Sequence, residues 1–176
     1  MKKYSKLVTS ALGLLACVSL HAEPLADFDA IAMRCTEAFS ERPAMEVAYV
    51  QPARSWVKRV YAPATLAYRA RKTASKISPF VGQIEITEVA AARRGDDEES
   101  ARIMDVGMDE NLIRSVRRIN FAYQDNMWTV IGGTSVVEVK RDAAQAFSVA
   151  DNAKLSREAV LDLKGPMAAC VGASRY

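Results

Sequence analysis

From Trp56 onward the sequence takes up a period of two, and that period dictates a sheet with one dry face and one wet face. Leu66, Tyr68 and Ala70 alternate with Ala67, Arg69 and Arg71. After Ser78-Pro79, Phe80, Gly82, Ile84 and Ile86 alternate with Val81, Gln83, Glu85 and Thr87. Ile119, Phe121 and Tyr123 form a further apolar face, Asp125-Asn126 supplies a turn, and Trp128, Val130, Val137 and Val139 run back beside them. This reads as a β-hairpin, with Gly132-Gly133 marking a bulge or bend.

A dry sheet face needs a cover. Phe28, Ile31, Cys35 and Phe39 fall at spacings of three, four and four, on one side of a helix that Asp27 can cap and Pro43 limits. Ser156 can cap a short helix with Glu158 in its first turn and Val160, Leu161 and Leu163 inward, ending at Gly165-Pro166 before Cys170. The run Gly95-Asp96-Asp97-Glu98-Glu99-Ser100 reads as a solvated loop, and the stretch up to Asn111 has no clear period. The expected fold is α+β: an N-terminal helix packed on a curved antiparallel sheet of about four strands, with a short C-terminal helix.

The first twenty-two residues divide into a start carrying Lys2, Lys3 and Lys6, an apolar run from Leu7 to Leu20, and a short polar end at His21-Ala22. That is the layout of an export signal, and its apolar run of fourteen residues falls short of the ~20 needed to span a bilayer. Cleavage after Ala22 would leave residues 23–176 as a single α+β domain in the periplasm. Leu14-Leu15-Ala16-Cys17 resembles a lipobox, so the alternative is a lipoprotein signal over 1–16 with Cys17 lipidated and the chain anchored to the envelope.

Residues 1–22 carry three of the 24 Lys+Arg and none of the 21 Asp+Glu, so the remainder is neutral at 21 against 21. A nucleic-acid partner thereby loses its compositional support. The single histidine, His21, also lies in the signal. Without imidazole, Ser-His-Asp and Cys-His nucleophile systems and His-containing zinc or iron sites drop out, and no cofactor or metal is expected. Cys35 and Cys170 remain, and an oxidising compartment favours a disulfide between them.

Ser55-Trp56-Val57-Lys58 matches the Ser-x-x-Lys of penicillin-binding proteins, but neither Ser-Asp-Asn nor Lys-Thr-Gly accompanies it. Carboxylates are the catalytic groups left in quantity, and Glu85, Asp105, Asp109, Glu110 and Glu138 are candidates for a glycosidase pair. Nothing in their spacing selects two of them. Arg69, Arg71, Lys72 and Lys76, with Arg114, Arg117 and Arg118, place positive charge on two strands, which would form one basic patch if the strands are neighbours. Trp56, Tyr68, Tyr123 and Trp128 are expected in the core.

The segments Ser78-Pro79-Phe80-Val81-Gly82-Gln83-Ile84 and Phe121-Ala122-Tyr123-Gln124-Asp125-Asn126-Met127-Trp128 resemble paired motifs of small exported bacterial proteins, a likeness that implies no catalytic residues. The reading is a non-enzymatic periplasmic binding protein that meets another envelope or secreted protein through Arg69, Arg71, Lys72, Arg117 and Arg118, as an inhibitor or immunity-type partner does. Membrane contact would come only through a lipidated Cys17. The alternatives are a small cell-wall glycosidase using paired carboxylates and a carrier of small apolar ligands.

Overall fold

In the computed structural model, which describes residues 24–172, the chain runs α1 (Pro24–Ser40), β1 (Met45–Val50), a single 3-10 turn (Gln51–Ala53), β2 (Ser55–Tyr61), β3 (Thr65–Lys72) and β4 (Phe80–Gly95). It continues through α2 (Glu98–Ile103), β5 (Leu112–Gln124), β6 (Met127–Lys140), β7 (Ser148–Leu155), α3 (Arg157–Leu161) and α4 (Pro166–Val171). The signal segment, with Cys17 and His21, lies outside the described residues.

The fold is α+β with an antiparallel sheet, but of seven strands rather than about four. The strands are ordered β1-β2-β4-β5-β6-β7, and β3 also pairs with β4. The long β4 organises the sheet. One of its edges takes β3 along Phe80–Thr87 and β2 along Ala90–Gly95, and its other edge pairs with β5 from Phe80 to Ala91. The hairpin of β5 and β6 turns on Asp125 and Asn126, both at positive φ (50° and 61°), which matches the right-handed twist of the flanking strands. The bulge falls where the glycines pointed: Asn120 pairs with Gly132 and Phe121 with Val130, leaving Ile131 unpaired, and Gly132 adopts φ 133°.

The dry face is Gly82, Ile84 and Ile86 of β4, Ile119 and Phe121 of β5, and Trp128 and Val130 of β6. Phe28, Ile31, Ala32, Cys35 and Phe39 of α1 lie over it. Gly82 is a glycine because the Phe28 ring rests on it: a Cβ there would stand 2.4 Å from Cε2 of that ring. The ring in turn meets Phe121 edge-on at 5.4 Å and Trp128 at 4.7 Å. Trp128 Nε1 donates to the Pro24 carbonyl at 2.7 Å, which fixes the start of α1. Because α1 begins at Pro24, Asp27 occupies the first turn instead of the cap, where its carboxylate still suits the helix dipole.

Ser156 caps α3 as expected, its hydroxyl accepting from the Ala159 amide at 3.2 Å, and Val160 is buried. The chain then starts another helix: Pro166 opens α4, which contains Cys170 instead of preceding it. Cys35 and Cys170 form a disulfide with Cα atoms 4.4 Å apart, tying α4 to α1. A bond of this kind suits an oxidising compartment. Among the described residues no helix is long and apolar enough to cross a membrane.

The acidic run also departs from expectation. Asp97 accepts from the Ser100 amide at 2.7 Å while Ser100 Oγ accepts from the Asp97 amide at 3.1 Å, a reciprocal cap that starts α2. The α2 segment lies on the face opposite α1, where the cross-strand partners Lys58 and Arg93 donate to the carbonyls of Arg102, Met104 and Asp105.

Candidate functional site

The basic side chains do not form one patch. β4 lies between β3 and β5, so these strands are not neighbours, and consecutive residues on each point to opposite faces. Arg69, Arg71, Arg114 and Arg118 project from the face away from α1, whereas Lys72 and Arg117 take the other side. Three of the cations are paired: Arg118 Nε lies 2.5 Å from Glu85 Oε2, Arg117 Nη1 lies 2.5 Å from Glu88 Oε2, and Arg114 bonds Glu138.

On the face away from α1, Arg69, Gln83 and Asn120 stand in one cross-strand row. Arg69 donates to Gln83 Oε1 at 3.1 Å, and Gln83 Nε2 donates to Asn120 Oδ1 at 2.9 Å. These side chains, with Arg71, line a shallow groove of about 490 Å³ that also holds Ile131. The bulge has turned Ile131 out of the core, and 54% of its surface is exposed. No ion pair among the described residues holds Arg69 or Arg71.

The face under α1 becomes polar beyond Ile86. Glu88 is clamped between Arg42, which follows α1, and Arg117 of β5. The Arg42 guanidinium also lies 3.8 Å from the centre of the Tyr61 ring. Glu46 accepts from Tyr61 Oη at 2.6 Å and from Arg59 Nη1 at 2.7 Å. Burial alone would raise the pKa of Glu46, but those two hydrogen bonds and the charges of Arg59 and Arg42 hold it below the usual carboxylate range. Burial, with the hydrogen bond to Glu46 and its charge, pushes the Tyr61 phenol up to about 12. This cluster lines a cleft of about 560 Å³ closed on one side by the Leu163–Met167 turn. Arg42, Glu46, Arg59, Tyr61 and Glu88 were not singled out from the sequence. Tyr61 and Arg59 repeat at period two with Val57, and that alternation on β2 was the available signal.

The carboxylates proposed for glycoside chemistry do not converge. Glu85 and Glu138 are each bonded to an arginine, and the hydrogen bond from Arg114 lowers the pKa of Glu138, the wrong direction for a general acid. Asp105, Asp109 and Glu110 lie in the segment between α2 and β5. Ser55 and Lys58 sit three apart on a strand and therefore on opposite faces, with the Lys58 ammonium spent on carbonyls of Arg102 and Met104. Of the aromatics expected inside, Trp128 is core, Tyr123 is half-buried against Phe80 and Trp128, Tyr68 is 48% exposed, and Trp56 packs on Tyr49 on the other side of the sheet. Among the described residues no cluster of three or more His, Cys, Asp or Glu could hold a metal ion. No family model matches this chain, and no curated protein or solved structure matches it.

Proposed function

We propose that this chain is a non-enzymatic binding protein of the periplasm that docks another envelope or secreted protein through the sheet face away from α1. The observation that carries this reading is the outward Ile131, set in a groove with two arginines that have no carboxylate partner among the described residues. Partly desolvated apolar anchors flanked by arginine are typical of interface centres, and an unpaired guanidinium pair favours an acidic partner. Lys72 and Arg117 are not part of this surface. The export signal and the Cys35–Cys170 bond support the compartment.

A photocrosslinking residue at position 131, compared with one at the exposed Val149 on β7, tests the reading in envelope extract. One discrete adduct with an acidic protein from position 131, lost when Arg69 and Arg71 become glutamate, supports it. The same smear of adducts from both positions overturns it.

A further inference from the structure

The cleft under α1 offers a second, chemically different site. Its lining holds four cations, Arg42, Arg59, Arg117 and Lys164, against two carboxylates, Glu46 and Glu88. Both carboxylates are already engaged. Glu88 takes one hydrogen bond from Arg42 and one from Arg117, and Glu46 takes one from Arg59 and one from Tyr61. A guanidinium has five N–H donors in a fixed plane, so most of the donors on these arginines are left over. The glutamates thus act as braces. They hold the guanidinium groups in place, and stacking on Tyr61 holds that of Arg42, while the site keeps an excess of two positive charges.

Apart from Ser115 and Tyr61, the rest of the lining is apolar, with Phe39 from α1, Ala90 and Ile113 from the sheet, Val137 from β6 and Met167 from α4. The volume, about 560 Å³, falls in the range of small-molecule sites. We infer that this cleft binds an amphipathic oxyanion, a carboxylate or phosphate monoester on a short hydrocarbon chain, with the head group on Arg117, Arg59 and Lys164 and the chain against Ile113, Val137 and Met167. Arg117 thereby takes a role in a small-molecule site rather than in the protein-docking surface. The inference is independent of the docking reading, because the two sites lie on opposite faces of the sheet.

Isothermal titration of the purified protein with decanoate, decyl phosphate, inorganic phosphate and decyltrimethylammonium tests it, with amide shifts of Ala90 and Ile113 locating the ligand. Saturable binding of either decyl anion below about 1 mM, shifts at those amides, and a loss of about tenfold in Arg117→Gln support the site. Whichever decyl anion binds more tightly names the head group. Lys164 is exposed, so Lys164→Gln keeps the fold and should still weaken binding about threefold even if Arg117→Gln does not fold. The inference is overturned if neither anion binds, if the ammonium binds equally well, if inorganic phosphate binds as tightly as decyl phosphate, or if Lys164→Gln and Arg59→Gln both leave affinity unchanged.

Discussion

Breaking the Cys35–Cys170 bond should lower stability by an amount the covalent loop sets. The two cysteines are 135 positions apart, and closing so long a loop stabilises the fold by about 5 kcal/mol in the chain-entropy model, with measured values nearer about 2–4 kcal/mol. Both sulfurs are fully buried between α1 and α4, and the bond holds α4, a helix of six residues that could not persist alone, against its neighbour. A chain of this size loses about 2–4 °C of midpoint per kcal/mol, so Cys35→Ala with Cys170→Ala should melt about 4–16 °C below the oxidised protein. The assay is thermal unfolding by circular dichroism with and without reductant. Reduced wild type should approach the double variant, because reduction removes the same constraint. Alkylation in denaturant counts the free thiols. If both thiols are shown to be free and the midpoint has not moved, the bond does not hold the two ends together.

Two further perturbations read the packing and the charged cleft. Gly82→Ala pushes a methyl into a Phe28 ring already confined by Phe121 and Trp128, so it should destabilise by about 1–3 kcal/mol, whereas Gly172→Ala, with open space around it, should leave the midpoint unchanged. An ultraviolet titration should show a tyrosine ionising near pH 12 that Tyr61→Phe removes; because the folded pKa of Tyr61 is raised from 10.0 to about 12, the stability it contributes is intact below pH 10 and lost as pH rises through about 12. Glu46 runs the other way: its lowered pKa gives stability that is present above its ordinary value and lost on acidification through the folded one, and Tyr61→Phe should flatten both limbs of the stability profile.

Period and spacing were enough for the parts of the fold where one face is apolar. The α1 stripe, the inner faces of β4 and β5, the Asp125-Asn126 hairpin, the bulge and the Ser156 cap all follow from local pattern. The strands that escaped carry no such pattern. β7 is an edge strand with nearly every residue exposed, and β1 and β2 place Glu46, Arg59 and Tyr61 on the side where apolar residues were sought. The helix hidden in the acidic run was written in its Asp97-x-x-Ser100 cap, outweighed by the charge around it. The basic patch failed for a reason already legible in the period. Arg117 and Arg118 are consecutive on a strand, so one belongs under the helices and the other on the far face. The order that inserts β4 between β3 and β5 depends on long-range pairing, which no local spacing encodes.

Docking through the face away from α1 is tested most directly by separating stability from binding at Ile131. Once crosslinking has identified the partner, its affinity for wild type and for Ile131→Asp is measured by titration, alongside thermal midpoints of both proteins. Ile131 is the unpaired residue of a bulge and packs into no core cluster, so the midpoint should stay within about 2 °C. Removing an interface anchor and adding a negative charge that opposes an acidic partner should weaken binding at least about tenfold, or about 1.4 kcal/mol. An unchanged affinity, or a loss of affinity that only mirrors a loss of folded protein, would contradict a docking role for this face.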